Sequence, residues 1–200
     1  MNTLLGSAIE VQTVETLRTM RSHWDPDGDW SEYDFLRFPQ SFPDVRLVRC
    51  DEPDEAPAIG IELKSWYLLS KEAEPSFRYR TTAAACAPCD LFAVVPWSLS
   101  NVLSGTPVVH SPFIEQALFV SQMRNYYWLN TRVSGNPQEK DRIEIPEDIT
   151  PYPRANSIIT DKPVQDSGGN FGRIGRVHSL VGDWTTQCLR ISLAGIPAVD

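Results

Sequence analysis

The sequence predicts an α/β fold in which a mixed β-sheet is flanked by helices. Several short segments alternate hydrophobic and polar residues as strands do, and two longer segments repeat apolar residues at helical spacing. A continuously apolar segment, Asp90 to Pro96, is typical of a strand that is buried on both faces. With 200 residues, of which 42% are hydrophobic and 22% charged, the chain has the composition of an ordinary globular domain.

The first seventy residues predict one helix followed by three strands. The helix is indicated by Val11, Val14 and Leu17, which lie near one stripe, and the second strand by the alternating segment VRLVR. The helix, a turn cluster, two strands, an acidic loop and the third strand are expected, in that order, at 3–22, 23–30, 33–38, 44–49, 51–57 and 58–69.

The rest of the chain predicts a second helix, the buried strand, a loop, a long helix, an irregular region rich in Pro, Asp and Gly, and a tail. The tail forms either one helix or a helix plus a strand. These segments are expected at 76–87, 90–96, 98–112, 113–132, 134–170 and 173–196. We expect a single domain, 1–200, in which 134–200 is a C-terminal extension of unassigned role.

The third strand carries an acid and a base on one face. Side chains alternate along a strand, so Glu62 and Lys64 point away from the apolar face that we expect to be buried. That face is formed by Ile59, Ile61 and Leu63. Asp44 opens the neighbouring strand, and two acids beside a lysine can hold a divalent cation and a water molecule. The pattern indicates metal-assisted phosphodiester hydrolysis; the alternative is an exposed strand face with a solvated Glu and Lys.

Pro43-Asp44 lies eighteen positions before Glu62-Leu63-Lys64, with both halves on predicted strands and an apolar strand after them. In this arrangement the sequence resembles the PD-(D/E)xK nuclease superfamily of restriction endonucleases and related enzymes. The resemblance covers residues 5–100 and implies a restriction-endonuclease-like core of a helix, a three-stranded meander, a helix and a further strand (αβββαβ). A second Pro-Asp pair, Pro53-Asp54, has no alternating strand directly after it, so Asp44 is the better candidate ligand.

The resemblance also implies a mechanism. Asp44 and Glu62 would bind Mg²⁺, for which Mn²⁺ can substitute, together with the backbone carbonyl of Leu63. Lys64 would position the attacking water. Mg²⁺ prefers oxygen ligands and keeps several waters, so two carboxylates suffice. Glu10 lies on the apolar stripe of the first helix and is either a further metal ligand or a residue at the edge of that stripe.

These residues predict a Mg²⁺-dependent endonuclease that hydrolyses DNA phosphodiester bonds, and cutting both strands suggests a homodimer. Two alternatives stay open. One is a non-catalytic nucleic-acid- or protein-binding module that retains the fold; the other is an unrelated α/β protein in which Glu62 and Lys64 decorate the surface. The net charge of −8 argues against a protein that coats nucleic acid non-specifically, but an acidic chain is compatible with carboxylate metal ligands.

Four arginines are candidates for contacts with nucleic-acid phosphates. Arg78 and Arg80 flank a tyrosine shortly after the third strand, whereas Arg173 and Arg176 end a glycine-spaced run that begins at Ser167. The alternatives are solvated surface arginines and glycines that serve only turns.

The aromatic segment Arg124 to Trp128 favours a core or a subunit interface over a base-stacking surface. The inward face of its helix is expected to contain Phe113, Ala117, Val120 and Tyr127. Cys86 and Cys89 form a lone CxxC that no other Cys or His pair completes as a zinc site, so we expect buried, reduced thiols. The first residues do not form a signal peptide and no segment has the roughly 20 apolar residues of a membrane span, so a cytoplasmic protein is expected.

Overall fold

The computed structural model describes residues 2–53, 55–69, 75, 77–101, 104–132, 142–166, 168–190, 192–193 and 196–197. The helices are α1 (Asn2–Thr19), α2 (Arg21–Trp24), α3 (Ala117–Tyr126), which continues as a π-helical turn (Tyr127–Thr131), and α4 (His178–Leu189). The strands are β1 (Tyr33–Arg37), β2 (Val45–Arg49), β3 (Ile59–Tyr67), β4 (Leu91–Asn101), β5 (Ser104–Val109), β6 (Phe113–Gln116), β7 (Ile143–Glu144), β8 (Lys162–Pro163), β9 (Ser192–Leu193) and β10 (Ile196–Pro197).

Strands β1 to β6 form one mixed sheet, as the sequence predicts. β1, β2 and β3 are an antiparallel meander, and β4 pairs with β3 in parallel. The other edge of β4 pairs antiparallel with β6 along its first half and with β5 along its second half. Two separate hairpins, β7–β8 and β9–β10, lie outside this sheet.

Both faces of the sheet are covered. Val14 of α1 packs on the first face against buried residues of the strands: Phe35, Val45, Leu47, Ile61, Leu63 and Ala93. The second face packs against α3, α4 and the residues before α4, with a core that includes Trp66, Phe92, Val94, Ala117, Val120, Ile174 and Val181. The helical stripe predicted for α1 holds for Val14 and, in part, for Leu17, but Val11 is 49% exposed and does not belong to it.

The predicted helix at 76–87 is wrong. Within the described residues, this range contains only a three-residue 3₁₀ turn, Ala83–Ala85, and Ser76 lies outside them. The segment before the turn is extended: Phe77, Tyr79 and Thr81 are buried, and the arginines between them are exposed. That period-two burial matches an extended chain, whose backbone groups are satisfied by the C-terminal region instead of by a helix.

The loop predicted at 98–112 and the start of the long helix at 113 are also wrong. β4 runs on to Asn101 and pairs antiparallel with β5, whose Val108 and Val109 suit a strand. Residues 113–116 form β6 along β4, and the helix begins only at Ala117. The predicted irregular region contains β7 and β8, and residues 134–141 within it lie outside the described residues.

Residues after β7 return to the sheet through a few specific polar contacts. Asp90 is fully buried and accepts hydrogen bonds from the backbone N–H groups of Gly60 and Ala87, both at 2.8 Å, and from the Tyr152 hydroxyl at 2.6 Å. The segment around Ile159 pairs with Thr82, whose N–H donates to the Ile159 carbonyl at 2.7 Å. These contacts fix the C-terminal residues against the strand ends where the candidate site lies.

A buried ion pair between Arg124 and Asp161 also connects α3 to the segment just before β8. Arg124 of α3 is 2% exposed, contacts the Asp161 carboxylate, and donates to the carbonyls of Tyr79 and Thr81 at 3.0 Å each. Its guanidinium also lies 4.9 Å from the centre of the Phe171 ring. The sequence placed Arg124 among core or interface aromatics but did not indicate its acidic partner.

Within the part of the chain described, no helix is long and apolar enough to cross a membrane.

Candidate functional site

Strand pairing brings Asp44 to Glu62. β2 pairs with β3 in antiparallel register, with Val45 opposite Ile61, so the residue before Val45 falls beside Glu62. Within the described residues this pairing ends at Ile61, and the Asp44 carboxylate then accepts a hydrogen bond from the Leu63 N–H at 2.9 Å. Asp44 therefore occupies the open edge of β3 directly before β2 begins.

A glycine makes this approach possible. A Cβ atom at Gly60 would lie 2.1 Å from the Pro43 side chain and 2.8 Å from the Asp90 carboxylate. Only a residue without a side chain leaves room for Pro43 to sit over β3, and Pro43 immediately precedes Asp44. The pair Pro43-Asp44 thus depends on Gly60 for its position.

Glu62 is buried beside Asp44 and Lys64. It is 8% exposed, so the alternative of a solvated strand face is wrong for this residue. Burial raises the pKa of Glu62 from 4.5 to about 7, opposed by the charge of Lys64 and assisted by the charge of Asp44. The Lys64 ammonium contacts the Glu62 carboxylate directly. Asp44 and Glu62 also act on each other: Asp44 raises the pKa of Glu62, and Glu62 lowers the pKa of Asp44.

Asp44 and Lys64, which together with Glu62 we call the trio, also have shifted pKa values. Burial raises the pKa of Asp44, although Lys64 and the Leu63 N–H oppose the increase. Burial alone would lower the pKa of Lys64, but Glu62 and Asp44 together raise it above its ordinary value. The ammonium is therefore charged, and one positive charge does not fully compensate two carboxylates removed from water.

Glu10 reaches the same region from α1. Its carboxylate accepts a hydrogen bond from Arg37 at 2.6 Å, and its charge acts on both Asp44 and Lys64. Glu10, Leu63 and Lys64 all line one cavity of about 380 Å³ between α1 and β3. The structure thus places Asp44, Glu62 and Lys64 together, whereas Glu10 lies nearby and is paired with Arg37.

Glu62 faces a second cavity, of about 300 Å³, on the other side of the trio. One wall is the turn before β2, with Gln40, Ser41 and Phe42, and the other comes from residues 153–159. We call this space the Glu62 cavity. No local pattern in the sequence indicates that residues 153–159 form part of the site, because contacts between distant segments leave no such pattern.

The donors present fit a small hard cation. Two carboxylates and the Leu63 carbonyl are oxygen ligands, which Mg²⁺ prefers, and a cation with several retained waters needs no more from the protein. In the described residues, no three His, Cys, Asp or Glu side chains group together as metal ligands. Glu10, Asp44 and Glu62 therefore do not form a three-acid cluster, and Glu10 is paired with Arg37.

The predicted phosphate-binding arginines form a separate group. Arg78 and Arg173 lie on paired backbone segments, and the Arg80 guanidinium donates to the Phe171 carbonyl at 3.4 Å and lies 3.9 Å from Asp166. Arg176 ends the 3₁₀ turn before α4. Gly172 permits this arrangement, since a Cβ there would lie 3.0 Å from the Tyr79 carbonyl. Ser167 and Asp54 lie outside the described residues.

The remaining residues singled out in the sequence are structural. Of the predicted inward face, Ala117 and Val120 are buried, whereas Tyr127 is half-buried and Phe113 is half-buried on β6 instead of on the helix. Trp128 is also buried, and Tyr126 is 59% exposed. All four cysteines are free; Cys86 and Cys188 are buried and Cys50 and Cys89 are exposed, so the prediction of buried thiols for the CxxC pair is confirmed for Cys86 and wrong for Cys89. Cys89 lies in a turn just before β4.

Comparison with protein-family models, with curated proteins and with solved structures gave no match.

Proposed function

We propose that the protein is a Mg²⁺-dependent nuclease with a restriction-endonuclease-like core that hydrolyses phosphodiester bonds in DNA. The observation that carries the proposal is the convergence of Asp44, which is half-buried, and Glu62, which is buried, with Lys64 compensating their charge only in part. A helix, an antiparallel meander and a parallel fourth strand support the core assignment, although the described crossover between β3 and β4 contains no α-helix.

Each residue has a role that follows from its position. Asp44 and Glu62 would hold the cation, with the Leu63 carbonyl beside them. A divalent cation bound there would supply Lewis-acid stabilisation of the phosphate and would lower the pKa of a bound water. Lys64, charged and adjacent to both carboxylates, can orient a water and donate to a phosphate oxygen. Because Glu62 is buried and Asp44 and Lys64 are half-buried, the electrostatic interactions among these side chains are stronger than in bulk water.

The test is cleavage of plasmid and linear DNA by purified protein with Mg²⁺ or Mn²⁺. We expect nicking or cutting that is lost in Lys64→Ala and Asp44→Asn, with both variants folded by circular dichroism. Lys162→Ala, which removes an exposed lysine of β8, is the matched control and should cut normally. Equal activity of Lys64→Ala and wild type would remove the lysine from the mechanism.

A non-catalytic binding module is the second candidate. The Lys64 ammonium already forms an ion pair with the Glu62 carboxylate that would bind the metal, and the chain carries a net charge of −8. Calorimetry with Mg²⁺ and Mn²⁺ separates the two. The nuclease requires metal binding that Asp44→Asn abolishes, whereas the module predicts no such binding.

A further inference from the structure

The Glu62 cavity has two walls of different chemistry. Phe42 and Ile159 supply apolar surface, and the amide of Gln40, the hydroxyls of Ser41 and Ser157 and the guanidinium of Arg154 supply hydrogen-bonding groups. Ligand cavities start at about this volume and combine apolar walls with a few placed polar groups. A nucleobase has the matching character, since its faces are apolar and its edges carry donors and acceptors.

Both walls are held in place by contacts outside the cavity. The Arg46 guanidinium donates to Ser41 at 3.1 Å and to the Phe42 carbonyl at 2.8 Å, and it lies 4.3 Å from the centre of the Phe38 ring. The opposite wall is fixed through Tyr152 and through the backbone of Ile159. The space is therefore built into the fold, and a ligand entering it would meet groups already in position.

The distribution of cations indicates how a polynucleotide would be held. Among the described residues that line the Glu62 cavity, Arg154 is the one cation, and it is exposed. Arg37, close to the trio, is paired with Glu10. Arg46 donates to the Phe42 carbonyl in the cavity wall. These arginines do not form the row of phosphate contacts that holds a duplex. Recognition of a polynucleotide would therefore depend on one base in the cavity and on about one phosphate.

We propose that the Glu62 cavity takes one unpaired nucleotide of a single-stranded DNA segment, with Arg154 on its phosphate and Ile159 against its base. The proposal rests on the proposed hydrolysis at Asp44 and Glu62, because it places the phosphate of that nucleotide beside Glu62. A base inside a duplex would have to leave its stack to enter the cavity, which disfavours intact duplex as a ligand.

The test is binding of a DNA oligonucleotide that carries 2-aminopurine, followed by fluorescence without divalent cations, so that cleavage plays no part. We expect the single strand to bind at least about ten-fold more tightly than the same strand annealed to its complement. Its affinity should fall with salt with a logarithmic slope of about −0.7 for each phosphate held, for one or two phosphates. Equal or tighter binding of the duplex would overturn the proposal.

Two variants examine the cavity itself. Ala155→Trp fills it from an exposed position, and Arg154→Ala removes its cation; each should weaken single-strand binding by at least about ten-fold. The matched controls, Ala56→Trp in the acidic loop and Arg190→Ala after α4, are exposed and lie outside the cavity, so they should bind as wild type. Wild-type binding by Ala155→Trp, with a normal urea unfolding curve, would refute the assignment of the cavity.

Cleavage with Mg²⁺ distinguishes this inference from the function on which it rests. If neither single-stranded nor duplex DNA is cut while the binding pattern holds, hydrolysis is wrong and the nucleotide subsite stands. If both are cut equally and the cavity variants cut like wild type, hydrolysis stands and the subsite is wrong.

Discussion

Replacing Glu62 by Gln tests the central physical feature of the site, an acid that is buried without full compensation. The substitution keeps the size and shape of the side chain but removes its ionisation. Because burial raises the pKa of Glu62 from 4.5 to about 7, the folded protein binds this proton more tightly than the unfolded chain does.

The sign and magnitude of the effect follow from that difference. Below pH 4.5 the carboxyl is protonated in both states and ionisation costs nothing. As the pH rises from 4.5 to about 7, the unfolded chain ionises first, so the wild-type protein loses stability. Each pKa unit is worth about 1.4 kcal/mol, so the whole loss is about 3 kcal/mol, and above pH 7 it is constant.

The assay is urea unfolding of the wild type and Glu62→Gln from pH 5 to pH 8, followed by tryptophan fluorescence. The free energy of unfolding of the variant minus that of the wild type should rise by up to about 3 kcal/mol across this range. Lys64, whose pKa is raised, stays charged throughout, so losing its partner adds only a constant difference. Glu32→Gln, at a 74% exposed side chain, should show no such trend.

Mg²⁺ provides a second arm of the same experiment. At pH 8 the cation should stabilise the wild type by about 2.7 kcal/mol at a concentration of one hundred times its Kd, and it should leave Glu62→Gln nearly unaffected. Parallel stability curves for wild type and variant would show that Glu62 ionises normally, and the reasoning from burial would then be refuted.

Three further substitutions test how the fold holds the site. Gly60→Ala should lower the free energy of unfolding by about 1–3 kcal/mol and weaken Mg²⁺ binding in calorimetry, since its Cβ would displace Pro43; wild-type values for both would contradict this. Arg124→Met should cost about 3–5 kcal/mol in urea unfolding by leaving Asp161 buried and unpaired, and adding Asp161→Leu should recover part of the loss. Tyr152→Phe should cost about 1–3 kcal/mol in the same assay by removing a hydrogen bond to a buried carboxylate, and an unchanged midpoint would rule that out.

The strands of the meander could be predicted because their signal is local. VRLVR and IGIELK alternate within a few residues, and the pairing of their ends then brings Asp44 and Glu62 together without further information. The segment Phe77 to Thr81 also alternates apolar and polar residues, and this alternation matches the observed burial. The prediction of a helix there does not use that alternation.

Other features could not be predicted because they depend on distant partners. The Arg124–Asp161 pair joins residues whose local contexts show no relation, and the wall of the Glu62 cavity combines a turn near β2 with residues 153–159. The burial of Glu62 belongs to the same class. The sequence of its strand indicates one apolar face, and the second face is covered in large part by residues later in the chain, such as Val120, Ile174 and Val181.

The late arrival of that cover has a consequence for synthesis of the protein. Trp66 and Phe92 emerge from the ribosome well before Ile174 and Val181, the residues that pack over them. During translation the incomplete sheet therefore exposes an apolar surface to solvent and to chaperones. This apolar surface is covered when the residues around Ile174 and Val181 have been synthesised, and not when the strands of the sheet are complete. Only then does the tendency of the chain to self-associate fall.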